Sequence, residues 1–172
     1  MKNMMIVLFS LLALSFYGSE TRAAEGIATA TILPTISTSK NVESNTGGDL
    51  AFGVILPSES SGTVTIAASN SVRTYNGGVA LVASTSGAAS FNIYGAANTT
   101  YTVTLPDTEA VIISSGSNTM KVNSFTVYPP SGTATLNNKG EATFNIGGTL
   151  EVKPDQMAGS YTGSFQVTVA YQ

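Results

Sequence analysis

The sequence contains no cysteine, no histidine and no tryptophan, and charged residues make up only 10% of it. Each absence closes a class of chemistry. Without cysteine there is no disulfide, so stability has to come from sheet pairing and an apolar core, and no lipid can be attached to a thiol. Without histidine or cysteine there is no zinc constellation, no Ser-His-Asp triad and no Cys-His pair. The charged fraction lies well below the roughly 25% of an average soluble protein. Net charge is −3, and beyond the first residues the cations are Lys40, Arg73, Lys121, Lys139 and Lys153, scattered along the chain. They form no basic stripe, which argues against nucleic acid and anionic membrane surfaces as partners.

What stands in place of charge is Ser, Thr, Asn and Gly, behind an apolar leader. Lys2 precedes an apolar run from Met4 to Tyr17 broken only by Ser10 and Ser15, and Thr21-Arg22-Ala23 places small residues at the −3 and −1 positions of a cleavage site. Residues 1–23 are expected to be a secretory signal peptide, too short for a membrane span. An exported chain with weak charge and many threonines suits a surface packed against copies of itself or exposed outside the cell.

From residue 26 onward nearly every segment alternates with period two, and none carries a sustained 3.6-residue stripe. Strands are expected at 26–33, 50–56, 62–68, 78–83, 88–94, 100–105, 119–128, 133–137, 141–153 and 163–171, with a further one around Ile112, which indicates an all-β sandwich or barrel. In 141–153, Ala142, Phe144, Ile146, Leu150 and Val152 share one face and Glu141, Thr143, Asn145, Thr149 and Glu151 the other, the pattern of an antiparallel strand wet on one side. Gly147-Gly148 keeps this register and marks a bend, a close backbone approach or a two-residue turn. In 119–128 the parity flips between Val122 and Phe125, the signature of a bulge. Residues 37–49, STSKNVESNTGGD, have one apolar residue and no period, and are expected to be a linker able to span roughly 40 Å at ~3.3 Å per residue.

The remaining chemical candidates are thin. Ser37-x-x-Lys40 has the spacing of a Ser-Lys dyad but falls in the expected linker. Asp107 and Glu109 follow Pro106 in an expected turn, and Asp155 follows Pro154 in the same manner. Asn98-Thr99-Thr100 fits a glycosylation sequon, which matters only in a host with that machinery. No glycine pattern opens a helix after a strand, so phosphate loops are absent. The chain is expected to be neither an enzyme nor a carrier of a cofactor or metal. A ligand-binding module is the alternative: Tyr75, Asn76, Tyr94 and Tyr128 would then line a glycan or partner site on a self-contained exported sandwich.

The two ends carry the strongest signal. Residues 26–36 read GIATATILPTI, with Ala28, Ala30 and Ile32 on one parity and Pro34 ending the strand; residues 159–172 read GSYTGSFQVTVAYQ, with Phe165, Val167, Val169 and Tyr171 on every second position. This pair of ends, a strand on a tether and a final G-x-Y-x-G-x-F-x-V-x-V-x-Y, resembles the bacterial pilins of the chaperone–usher kind, in a form lacking their paired cysteines. The body, with Leu50-Ala51-Phe52-Gly53 near its start and Gly147-Gly148-Thr149-Leu150 near its end, resembles a family of small exported bacterial domains with a GGTL motif. The resemblance implies an immunoglobulin-like antiparallel β-sandwich that is incomplete and is finished by a donated strand. It implies residues 24–36 as donor, 37–49 as linker and 50–172 as body. Ala28, Ala30 and Ile32 would be the inserted side chains, and Phe165, Val167, Val169 and Tyr171 the border of the acceptor groove. The partners it implies are copies of the same chain in a head-to-tail filament, a periplasmic chaperone, an outer-membrane usher and a host or surface receptor, with the product a fimbrium on the cell surface.

Overall fold

The computed structural model describes residues 36–40, 48–106, 111–131 and 133–172. The expected signal peptide, the donor residues Ala28, Ala30 and Ile32, the linker residues 41–47 and the acids Asp107 and Glu109 lie outside the described residues. Within them the protein is all-β, with antiparallel pairing throughout and no helix. The strands are β1 (Ser37–Lys40), β2 (Ile55–Ile66), β3 (Arg73–Leu81), β4 (Ala89–Tyr94), β5 (Tyr101–Thr104), β6 (Val111–Ser115), β7 (Asn118–Tyr128), β8 (Glu141–Val152) and β9 (Thr168–Tyr171).

The organising element is β8. Along one edge it pairs with β7, from Tyr128↔Asn145 to Lys121↔Glu151. Along the other it pairs first with β4, up to Ala89↔Ile146, and then with β2, from Ile66↔Gly148 onward. The change of partner falls at Gly147-Gly148, and the reason for glycine is steric. A Cβ on Gly147 would strike the Ile66 carbonyl oxygen and lie 2.6 Å from the Ala68 nitrogen, where β2 turns away across the strand. The expected register through this dipeptide holds, with Phe144, Ile146, Leu150 and Val152 buried.

β2 and β3 form a hairpin, β3 being the outer strand, and β6 and β7 form another through a turn at Gly116. The expected bulge in β7 lies between Asn123 and Thr126, with Ser124 at φ 49°. The two strands expected at 50–56 and 62–68 are instead one, β2 starting at Ile55 and carrying an irregularity between Pro57 and Gly62. The polar run Ser58–Ser61 conceals this continuity in the sequence. Segment 133–137 makes no strand; it contributes a single bridge, Thr100↔Thr135, and the buried Leu136.

Two further differences concern the ends. Ser37–Lys40, expected to begin the linker, pair with β4 as β1, from Ser37↔Tyr94 to Lys40↔Phe91. Pairing needs backbone groups rather than apolar side chains, so a Ser-Thr-Ser segment can satisfy the edge of β4. The terminal strand is confined to 168–171. Thr162 bridges to Ser114 beside β6, the chain then crosses the body, and β9 pairs with β5 in a small second sheet. Residues 163–167 lie in that crossing and belong to neither ladder.

The core has two parts, both floored by β8. One gathers Phe52, Val64, Ile66, Val79, Met120, Val122, Leu150 and Val152. The other gathers Ala89, Ile93, Tyr101, Val103, Leu136, Phe144 and Ile146 beneath the β5–β9 sheet. Leu50 and Phe125 pack against both. Phe165 sits at their junction, edge-on to Phe91 with ring centroids 6.4 Å apart and tilted against Phe125 at 5.3 Å. Such aromatic pairs add about 0.5–1.5 kcal/mol each beyond burial.

Candidate functional site

The second core is closed over by β5 and β9, but the first opens into a groove of about 890 Å³. Its floor is the inner face of β6, β7 and β8: Val111, Ile113, Met120, Val122, Leu150 and Val152. One side is the stretch 49–57, the other the stretch 156–165. Inside the sides Phe52 is buried and Tyr161 packs against the core. At the rim Val54, Leu56 and Met157 are 51%, 55% and 61% exposed. Large apolar side chains thus stand half in water on both sides of the trough.

The first side is built by Arg73. Its Nη1 donates to the carbonyl oxygens of Phe52 at 2.8 Å and Val54 at 3.4 Å, and its Nη2 to that of Val82 at 2.7 Å. The Val54 N–H donates to Ser84 Oγ at 2.8 Å. Arginine suits this task because its planar fork reaches several carbonyl groups at once. Residues 55–57 pair with β3 along one edge, but β8 joins the other edge of β2 only from Gly62 onward. The opposite side is held by a short relay: Gln156 Nε2 donates to Tyr161 Oη at 2.8 Å, and Tyr161 Oη donates to the Met157 carbonyl oxygen at 2.6 Å. Gln156 Oε1 is buried with no partner among the described residues.

Of the expected acceptor residues, Phe165 lines the groove. Val167, Val169 and Tyr171, together with Phe165, pack against the second core. Tyr171 is anchored there, its Oη accepting the Ala96 N–H at 2.6 Å. The structure thus places one of the four at the trough, two in the small sheet (Val169 and Tyr171) and Val167 in the crossing that leads to it. The first side of the groove was missed. Its signal was present in Leu50-Ala51-Phe52-Gly53-Val54-Ile55-Leu56, where apolar residues run without alternation, as in strands covered on both faces.

Chemically the trough has an apolar floor and mixed sides, with Asp49, Gln156, Ser160 and Thr162 among the lining residues. Asp49 is the one carboxylate among its lining residues, and no cluster of three metal-ligating side chains occurs among the described residues. Of the tyrosines considered for a ligand site, Tyr94 and Tyr128 lie on the outer face of the large sheet, while Tyr75 with Asn76 is on β3.

Residues 42–171 match the family model described as a domain of unknown function, DUF4402. The chain belongs to this family. The DUF4402 match takes in both sides of the groove, its floor and both parts of the core, and begins just after β1. No curated protein and no solved structure matches the chain.

Proposed function

We propose that this chain is a structural or adhesive fimbrial subunit that polymerises by donor-strand exchange, residues 26–36 of one copy lying in the groove of the next. The observation that carries the proposal is the trough with its apolar floor and half-exposed rim of Val54, Leu56 and Met157. A strand laid between 50–57 and 157–165 covers that rim. Each half-exposed side chain so covered contributes about 1 kcal/mol, and each added backbone hydrogen bond about 1 kcal/mol. Ala28, Ala30 and Ile32 are the side chains directed at the floor. Ile32 contributes most, roughly 1.5–3 kcal/mol when fully buried, and the alanines take shallow positions. The acceptor is redrawn accordingly: Phe165 closes its inner end, and Val167, Val169 and Tyr171 support it from the neighbouring core.

A second copy is the natural donor because of where the chain joins the body. Ser37 is paired to Tyr94, which is paired to Glu141 at the start of β8. The groove floor begins near Gly148, about 24 Å further along that strand, and continues to Val152. Giving a strand to one neighbour and taking one from another is a head-to-tail contact that does not close, and it generates a filament. Strand addition of this kind sets register through alternate side chains. In this reading the chain is exported through the inner membrane, is held in the periplasm by a chaperone that lends a strand, and passes an outer-membrane usher to the cell surface.

The test is native purification followed by SDS gels with and without boiling. A heat-labile ladder is expected from the full chain. Deleting residues 24–36 is expected to abolish it, and Leu56→Asp to weaken it while leaving the fold intact. A single monomer band, or a ladder that survives the deletion, overturns the proposal.

A further inference from the structure

The pairing of β1 fixes the direction in which the N-terminal arm sets out. Ser37 faces Tyr94 and Lys40 faces Phe91. The Ser90 N–H then donates to the Gly48 carbonyl oxygen at 3.3 Å, and Ala51 bridges Gly87. From Ser37 to Ala51 the chain therefore follows β4 and the residues before it steadily toward the groove side at 50–57. The N-terminal end of β1 points the opposite way, away from the groove. Ile36 packs against the second core and holds that end. On β8, Glu141 lies level with Tyr94, and Gly148 is seven residues further on, about 24 Å away.

We infer that β1 is a selector: its pairing bars the donor strand from the groove of its own subunit and so commits it to a neighbour's. The inference rests on the donor-strand reading above, and lengths carry it. Ile32 is five residues before Ser37 and reaches at most about 18 Å from it, whereas the inner end of the floor is about 24 Å away. While β1 is paired, the largest of the inserted side chains cannot enter its own groove. With β1 released, the next anchored residue is Gly48, level with Asn145 through Ser90 and only about 10 Å from Gly148. Ile32 lies sixteen residues before Gly48, a reach of at most about 58 Å. The strand can then fold back antiparallel to 50–57, as a hairpin closed by residues 37–49. Such insertion is intramolecular, and a short tether holds its end at an effective concentration in roughly the millimolar range, so it outcompetes a second copy. Four residue pairs made by a Ser-Thr-Ser-Lys segment decide between the two outcomes.

The test removes the β1 pairing from the full chain with Thr38→Pro/Ser39→Pro. Successive residues of an antiparallel strand donate alternately to one side and the other, so the double substitution deletes whichever of the two N–H groups serves β4. The unboiled SDS ladder of the wild-type chain should fall roughly tenfold or more in the variant, in favour of monomer. Adding Ile32→Asp to the variant should then lower its melting temperature by roughly 3–12 °C, the range for burying one isoleucine, because the strand no longer fills its own groove. In the monomer fraction of the wild-type chain Ile32→Asp should leave the midpoint unchanged. A ladder that persists undiminished in the proline variant overturns the inference and leaves donor-strand exchange standing. A monomeric proline variant whose midpoint does not respond to Ile32→Asp overturns it as well. No ladder from the wild-type chain overturns both readings.

Discussion

The adjacent glycines of β8 should respond in opposite ways to the same added methyl group. On Gly147 a Cβ meets only backbone: the Ile66 carbonyl oxygen, the Ala68 nitrogen at 2.6 Å and the Ala67 carbonyl carbon at 3.0 Å. No rotamer change relieves such contacts, so Gly147→Ala has to push the end of β2 away from β8. The cost is that of overpacking, about 1–3 kcal/mol, with about 1 kcal/mol more for any ladder hydrogen bond at Ile66↔Gly148 that lengthens. On Gly148 the nearest atoms are side-chain carbons of Leu50, Phe125 and Val122, all at 3.4 Å. That is ordinary contact, and the loss of glycine's freedom in the unfolded chain favours alanine by about 0.4–1 kcal/mol. For a domain of this size 1 kcal/mol corresponds to roughly 2–4 °C in melting temperature. Gly147→Ala should therefore lower the midpoint by about 2–12 °C from overpacking alone, whereas Gly148→Ala should leave it unchanged or raise it by about 1–4 °C. Thermal and urea melts of the two variants read the difference directly. Equal destabilisation by both would refute the assignment of Gly147 to a backbone crossing. Because Leu50, Phe125 and Val122 also line the trough, Gly148→Leu should additionally block its inner end and reduce assembly.

Arg73→Met keeps most of the length and loses the bonds to Phe52, Val54 and Val82; amide hydrogen exchange should quicken selectively at 52–54 and 82–84, with a stability loss of about 1–3 kcal/mol. Burial pushes the Tyr101 phenol above its ordinary value of 10.0. The unfolded chain therefore releases this proton first, and stability should fall as pH rises above about 10. Tyr101→Phe should flatten that alkaline limb in pH-dependent melts and change little at neutral pH. Tyr171→Phe leaves the Ala96 N–H without its acceptor and should cost about 1 kcal/mol by urea titration.

Period-two alternation made β8, β5 and the bulged β7 legible, because burial on one face of a strand writes itself directly into residue type. Strand β1 was illegible for the converse reason: Ser37–Lys40 are recruited through their backbone, which leaves no apolar pattern. The terminal run from Phe165 alternates without a break, yet its first residues cross between two sheets. Alternation reports which side chains are covered, and Phe165 and Val167 are half-buried without belonging to a ladder. The trough is not legible in the sequence: Phe165 reads as one position of an alternating strand and 50–57 as part of another, and only tertiary packing brings both to one groove. The sheet-face tyrosines, 34 positions apart from Tyr94 to Tyr128, come together only through the pairing of both β4 and β7 to β8.

The position of β1 has a mechanical meaning for the proposed filament. A pull along the fibre would reach each subunit at the groove, travel through β8 and leave by way of β4 and β1 at Ser37. The hydrogen bonds of the β1–β4 ladder lie across that line of force, so tension shears them together rather than unzipping them one at a time. The ladder is only four residue pairs long. In the proposed filament this short ladder would be the first element of the body to bear the load, and slip there would leave the pairing of β4 with β8 in place.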